Sequence, residues 1–297
     1  MNNYRSIKKV LFVLLIANIA VTAAKILLGV ITNSSALSAD GFHSLADSAN
    51  NVIGIIGITL ASRPKDVEHP YGYKKVETMA SLIISAALLF MAFNVISESI
   101  YKISHPNTIY ISLENLLILA STVVINIFVA TYERKKGQDY NSQFLVADSI
   151  HTKSDVFVSI GVIITLILIK LGVPPIIDVV ISFVVAAFIL KASYDIFKDC
   201  MSVLMDKRIL ELEEVESVVK EFPVIKNVHK VRSRGFQNHI YLDMHILVNI
   251  DLNVEEVHDL VHEVERKLQE RTDKQIDLVI HVEPYYEDYP SRTPYGY

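Results

Sequence analysis

Residues 113–132 read LENLLILASTVVINIFVATY, twenty positions with a single charge, Glu114. A helix needs about 20 mostly apolar residues to cross the hydrocarbon core of a bilayer. This stretch meets that requirement as an uninterrupted block. Five further stretches meet it, giving six in order: 10–31, 36–61, 77–97, 112–132, 146–170 and 176–197. The second and fifth carry charged residues near one end. The chain as a whole is 51% hydrophobic with a mean hydropathy of +0.36, too apolar for an ordinary soluble domain.

The apolar blocks end near residue 205 and the charge then rises. From 206 onward there are 12 Lys and Arg against 19 Asp and Glu, a net charge of −7, while the preceding part carries +2. The expected organisation is a six-helix transmembrane domain over 1–205, a polar domain over 206–284 and a loose tail over 285–297. Neither part has the basic patch that nucleic-acid binding needs. Cys200 is the only cysteine, which excludes internal disulfides and thiolate metal clusters. No small-residue cleavage pattern follows the first apolar block, so it reads as a retained helix.

Basic residues alternate along the connections. Arg5, Lys8 and Lys9 precede the first span, and Arg63, Lys65, Lys74 and Lys75 lie between the second and third. Arg134, Lys135 and Lys136 lie between the fourth and fifth, and Lys198 closes the sixth. The intervening connections are nearly uncharged. The positive-inside rule then puts both termini in the cytoplasm, as six crossings require. Lys25 lies within the first span and reads as a snorkelling side chain. In the polar domain, 211–221 has a helical pattern, 225–233 and 239–249 alternate as strands do around Arg234-Gly235-Phe236, 254–271 is an amphipathic helix and 276–283 a last strand. The order α-β-β-α-β predicts a small ferredoxin-like sheet with its helices on one side.

Two of the spans repeat one another. Ala39-Asp40-Gly41-Phe42-His43-Ser44-Leu45-Ala46-Asp47 in the second and Ala147-Asp148-Ser149-Ile150-His151-Thr152-Lys153-Ser154-Asp155 in the fifth both read A-D-x-x-H-x-x-x-D. Residues four apart share a helix face, so His43 points with Asp47 and His151 with Asp155. Ionisable groups at membrane depth cost several kcal/mol (roughly 3 or more) unless paired or bound to an ion. One His–Asp pair alone could simply neutralise itself. Two helices with the same nine-residue pattern point to a shared cation site of two imidazoles and two carboxylates. That set suits tetrahedral Zn²⁺ and also accepts Mn²⁺, Fe²⁺, Co²⁺ or Cd²⁺. Asp40 and Asp148 then stand behind the ligands. Asn18, Asn50, Asn51, Asn126 and Asn94 also fall within spans, as interhelical hydrogen bonders or as lining of a metal path. Gly54 and Gly57 permit close helix contact.

This pattern resembles the cation diffusion facilitator family across essentially the whole chain. His69-Pro70-Tyr71-Gly72-Tyr73-Lys74-Lys75-Val76-Glu77 is similar to the family's H-P-Y-G-H-G-K-x-E signature. The resemblance implies a homodimeric exporter that exchanges a divalent metal for protons through His43, Asp47, His151 and Asp155. It implies a cytoplasmic metal site at His229, His245, His258, His281 and Glu283, with His239 and His262 solvated. A loop site would fall at Asp66, His69 and Tyr73. A His usually occupies the last position, and a phenol with a pKa of about 10 is a poor zinc ligand. The short chain without a His-rich loop looks bacterial, which places it in the plasma membrane. Zinc is the favoured cargo, with manganese close behind, and no organic cofactor is implied. Two other readings remain: an intramembrane zinc hydrolase, disfavoured because no H-E-x-x-H supplies a general base, and a metal-sensing membrane receptor without flux.

Overall fold

The computed structural model describes residues 2–31, 35–104, 113–174, 176–236 and 238–286; among the helical residues, side chains 2, 21, 24–26, 28–31, 35–47, 102, 104, 113–119, 166 and 170 lie outside the description. The chain forms two compact units, Met1–Met201 and Ser202–Tyr297. The first consists of six long helices: α1 (Asn2–Ile31), α2 (Ser35–Ala61), α3 (Lys75–Ser104), α4 (Leu113–Tyr140), α5 (Gln143–Lys170) and α6 (Ile176–Leu204). Each apolar block of the sequence falls in one helix, apart from Ser112, which lies outside the described residues, and every helix outruns its block at one end or both. Among the described residues, Lys75–Tyr101, Gln143–Ile169 and Ile176–Leu204 are long and apolar enough to cross a membrane.

The bundle is apolar outside and partly polar inside, the reverse of a soluble domain. Phe12, Phe90, Phe93, Val124, Phe128 and Phe188 are all more than half exposed, whereas Ser81, Ser85, Glu133, Asp148 and His151 are buried. Hydrogen bonds between helices satisfy many of these groups. Ser85 Oγ donates to the Ser193 carbonyl and Ser193 Oγ donates to the Ser85 carbonyl, both at 2.8 Å, locking α3 to α6.

A denser cluster fixes the start of α5. Ser142 is its N-cap and accepts from the Leu145 N–H at 3.3 Å. The same hydroxyl donates to Glu77 Oε1 at 2.6 Å, and the Phe144 N–H reaches that oxygen at 3.4 Å. A carboxylate from the first turn of α3 thus sits at the positive end of α5. Thr78 donates to Gln143 Oε1 at 2.9 Å. Phe144 is fully buried against Gly54 of α2, where an added Cβ would lie 2.2 Å from the ring. A Cβ on Gly57 would lie 2.8 Å from the Ala80 methyl of α3. Both glycines therefore mark close helix approaches, as their place in the sequence suggests.

The second unit is α7 (Leu212–Val219), β1 (Ile225–Phe236), β2 (His239–Asn249), α8 (Val254–Thr272) and β3 (Gln275–Tyr285). The sheet order is β1-β2-β3, with β1 antiparallel and β3 parallel to β2. Ile240, Leu242, Met244, Ile246 and Val248 alternate along β2 and are all buried. They pack with Val215, Val218 and Val219 of α7 and Leu260, Val264 and Leu268 of α8. Burying each of these large side chains contributes about 1.5–3 kcal/mol. Asn253 and Glu256 cap α8 reciprocally. β1 runs three residues past the expected end at 233, because Gly235 at φ +125° lets the strand continue into a tight turn; a Cβ there would lie 2.5 Å from the His239 carbonyl. β3 closes on Tyr285, which pairs with Asn249; residues 287–297 lie outside the described residues.

Glu77→Ala leaves the Ser142 hydroxyl and the Phe144 N–H without their buried acceptor. It is expected to lower unfolding stability by about 1–3 kcal/mol, read as the thermal midpoint of the detergent-solubilised protein. An unchanged midpoint contradicts this role.

Candidate metal centres

Within the bundle, α5 carries the better described half of the paired motif. His151 Nδ1 lies 3.6 Å from Asp155 Oδ2, as the four-residue spacing predicts. His151 is 6% exposed and Asp148, one turn earlier, is 4% exposed. The side chains of Asp40, His43 and Asp47 on α2 lie outside the described residues. The next turn of α2 shows where its stripe leads. Asn50 Nδ2 lies 3.5 Å from His151 Nε2, so the turn of α2 that follows the motif meets α5. These groups border a polar cavity of about 40 Å³.

The cavity also contains a carboxylate that the sequence reading passed over. Glu133 of α4 is 1% exposed, and Thr152 Oγ1 donates to its Oε2 at 3.0 Å. In sequence it stands at the head of Glu133-Arg134-Lys135-Lys136 and looks like part of a charged cytoplasmic turn. The signal that separates it is its spacing from Asn126: seven residues, two helical turns, put both on one face of α4. Both line the cavity, as do Asn18 and Asn51.

The loop between α2 and α3 brings Asp66, His69 and Tyr73 together as a closed hydrogen-bonded group. Asp66 Oδ1 accepts from the His69 N–H at 2.7 Å, and Tyr73 OH donates to Oδ2 at 2.6 Å. Gly72, at φ +80°, makes the turn that brings the tyrosine back, its N–H bonding the His69 carbonyl at 2.9 Å. The hydroxyl of Tyr73 holds the Asp66 carboxyl below the usual range, and the carboxylate raises the phenol in return. Tyr73 is thereby a still weaker metal ligand than a free tyrosine, and both Asp66 oxygens are already engaged.

In the second unit the sheet register produces a row of imidazoles. His229 of β1 is the direct partner of His245 on β2, which is the direct partner of His281 on β3. A bulge follows His229, with Lys230 at φ 51°. The row lies opposite the buried face of β2. Glu283, two residues after His281, accepts from His245 Nδ1 at 2.7 Å and lies 3.5 Å from His229 Nε2. Ligand atoms of His229, His245 and Glu283 fall within 4.8 Å of one another. Burial lowers the His229 pKa, and the His245 hydrogen bond lowers that of Glu283. Both shifts run in the direction that favours metal binding. His281 stands beside the group, 3.8 Å from Glu283 Oε1, and is more exposed. His258 is placed differently. On α8 it faces His262, with the two Nε2 atoms 3.2 Å apart, and within one chain it does not join the cluster on the sheet. His239, expected to be solvated, reaches Gln275 Oε1 at 2.9 Å through Nδ1.

A bundle with apolar walls and buried side chains of metal-ligating type, joined to a small sheet domain whose His229, His245 and Glu283 could hold a metal ion, fits a multi-pass membrane protein that handles metal cations. The chain matches the cation efflux transmembrane domain over residues 11–205 and the cation efflux protein cytoplasmic domain over residues 209–285. It belongs to that family, the cation diffusion facilitators, and is a transporter of metal cations rather than an enzyme. It is 30% identical over 260 residues to an uncharacterized transporter of Methanocaldococcus jannaschii, covering 86% of this chain and 91% of the relative. It is 27% identical over 291 residues to the manganese efflux system protein MneP of Bacillus subtilis, covering 95% and 97%. It is 28% identical over 254 residues to the cadmium, cobalt and zinc/H(+)-K(+) antiporter of the same organism, covering 84% and 81%.

If the row on the sheet binds metal, His245→Ala in the full chain weakens one class of Zn²⁺ site by at least about tenfold, measured by calorimetric titration. Unchanged affinity and stoichiometry would remove the sheet cluster as a site.

Proposed function

We propose that this protein exports a divalent transition metal, zinc or manganese, from the cytoplasm across the plasma membrane in exchange for protons. Both termini lie on the cytoplasmic side in this reading. The cargo is held between α2 and α5 by His43, Asp47, His151 and Asp155. The observation that carries the reading is the His151–Asp155 pair, its imidazole buried, which borders a polar cavity and meets Asn50 of α2. Relatives named for manganese efflux and for cadmium, cobalt and zinc antiport support a transition-metal cargo.

Exchange follows from the chemistry of the ligands. A metal binds neutral imidazole and ionised carboxylate, so loading releases protons. With the site open to the cytoplasm, metal displaces protons. With the site open to a more acidic exterior, protons displace metal and are carried inward on the return. One ligand set thus serves both ions, and cargo and protons exclude one another by competition. Rocking of α2 and α5 against the other helices would switch the side of access.

The tail acts as a cytoplasmic metal-binding and dimerisation domain in this account. His229, His245 and Glu283 form its core, His281 lies beside them, and His258 can join only from elsewhere, including a second copy of the chain. Metal there would draw together two acidic domains that otherwise repel. The Asp66–His69–Tyr73 group serves instead as a clasp on the loop. The tail cluster alone would suit a sensor without flux, but the match to the cation efflux transmembrane domain favours transport.

Proteoliposomes separate the readings. The wild-type chain is expected to move Zn²⁺ or Mn²⁺ toward the acidic side of an imposed proton gradient while protons move the other way, and His151→Ala to reduce that flux by more than the roughly 10–100-fold that loss of an outer-shell partner costs. Metal flux without proton movement rejects the exchange, and no metal flux in the wild type rejects transport.

A further inference from the structure

A larger cavity, about 310 Å³, opens between α4 and α5. On α4 Thr131, Arg134 and Gln138, and on α5 Ser149, Lys153 and Val156, recur at intervals of three or four residues, so each helix gives the cavity one continuous face. At 3.6 residues per turn, these faces lie nearly opposite Glu133 and His151. The cavity therefore belongs to the outside of the α4–α5 pair and not to the metal path. Ile127 and Phe157 at its edge are 47% and 41% exposed.

Charge is divided along this groove. The two helices run antiparallel, with Glu133 against Thr152 and Gly137 against Val146. Arg134 and Lys135 thus line the end nearest the α4–α5 connection, and Ile127 and Phe157 share the other end. Buried Ala130 and Val156 complete the apolar part. Lys153 stands at the border, its amine 5.8 Å from the centroid of the Phe157 ring. No aspartate or glutamate is among the described residues lining the groove. Neighbouring Lys136 pairs with Asp139 at 3.1 Å, whereas Arg134, Lys135 and Lys153 make no ion pair among the described residues. Basic connections alone are the ordinary mark of a cytoplasmic face. Lys153 is not in a connection. It falls seven residues inside the apolar block that starts at 146, roughly 10 Å along the helix, where an ammonium without a partner is costly. A groove that is cationic at one end and apolar at the other matches an amphiphile with an acidic head. A metal ion would be repelled by the cations, and a small soluble anion would leave the apolar end unused.

We infer that the α4–α5 groove binds an anionic glycerophospholipid of the cytoplasmic leaflet, its phosphate held by Arg134, Lys135 and Lys153 and the first methylenes of its chains lying over Ile127 and Phe157. Basic pockets between transmembrane helices on the cytoplasmic side take such headgroups. The inference needs the bundle to stand in a membrane with its basic connections inside. It does not depend on which ion is carried or on proton exchange.

Native mass spectrometry of the full-length protein in detergent, titrated with phosphatidylglycerol or with phosphatidylcholine of the same chains, tests it. The wild type is expected to hold phosphatidylglycerol at least about tenfold more tightly, since each Lys or Arg beside an anionic headgroup strengthens binding roughly fivefold. Arg134→Gln, Lys135→Gln and Lys153→Gln combined should abolish that preference. Arg5→Gln, Lys9→Gln and Lys191→Gln combined, which remove exposed charges elsewhere on the bundle, should leave it within about threefold of wild type, as distant sites act independently. Equal affinity of the wild type for the two lipids, or the same loss in both triple variants, overturns the inference. Glycerol 3-phosphate bound as tightly as phosphatidylglycerol also overturns it, in favour of a soluble anion. Should the groove variant fail to fold, Lys153→Gln decides alone: a drop of roughly fivefold in phosphatidylglycerol affinity supports the site, and unchanged affinity overturns it. Binding is read without metal, so failure of the exchange reading would leave this result standing.

Discussion

The organisation of the bundle follows from one constraint: ionisable groups enclosed by lipid-facing walls must be neutralised by something that fits between the helices. The walls here are aromatic and branched aliphatic side chains exposed on the outside of α1, α3, α4 and α6. The interior holds His151, Asp148, Asp155 and Glu133. Such groups persist only with a partner, a proton or a bound ion. In the proposed exchange, metal and protons relieve that cost by turns, and the empty site is the costly state.

The rest of the first unit holds this interior in register. Glu77 anchors the start of α5 through Ser142 and the Phe144 N–H, and so sets how far along the bundle His151 and Asp155 stand. Phe144, seated against Gly54, sets how closely α5 approaches α2. These contacts lie one to three turns before the α5 motif, which explains why Glu77 closes a sequence signature that lies far from His151 in the chain. The same economy applies in the second unit. β-Pairing alone aligns His229, His245 and His281, and the bulge after His229 leaves its ring nitrogen within reach of Glu283.

Much of this was legible in the residues. The six spans could be read because lipid demands long apolar runs, and the α-β-β-α-β order because alternation and helical periodicity differ. The His151–Asp155 contact followed from a four-residue spacing. What escaped the sequence depends on tertiary placement. Glu133 was hidden by three basic neighbours, since composition does not reveal that α4 continues past its apolar block to Tyr140. The continuation of β1 through Gly235 was hidden because glycine usually signals a turn, and here it permits strand and turn together. His258 shows the opposite limit: its helix was read correctly, yet in one chain it turns toward His262 rather than the sheet.

The central claim is that one cation sits between α2 and α5. Anomalous diffraction from crystals of the full-length protein soaked with Zn²⁺ or Mn²⁺ tests it directly. The account predicts a metal peak inside the bundle, about 2.0–2.2 Å from a ring nitrogen of His151 and from a carboxylate oxygen of Asp155. Metal peaks confined to the second unit, with none in the bundle under conditions that saturate binding, would contradict it.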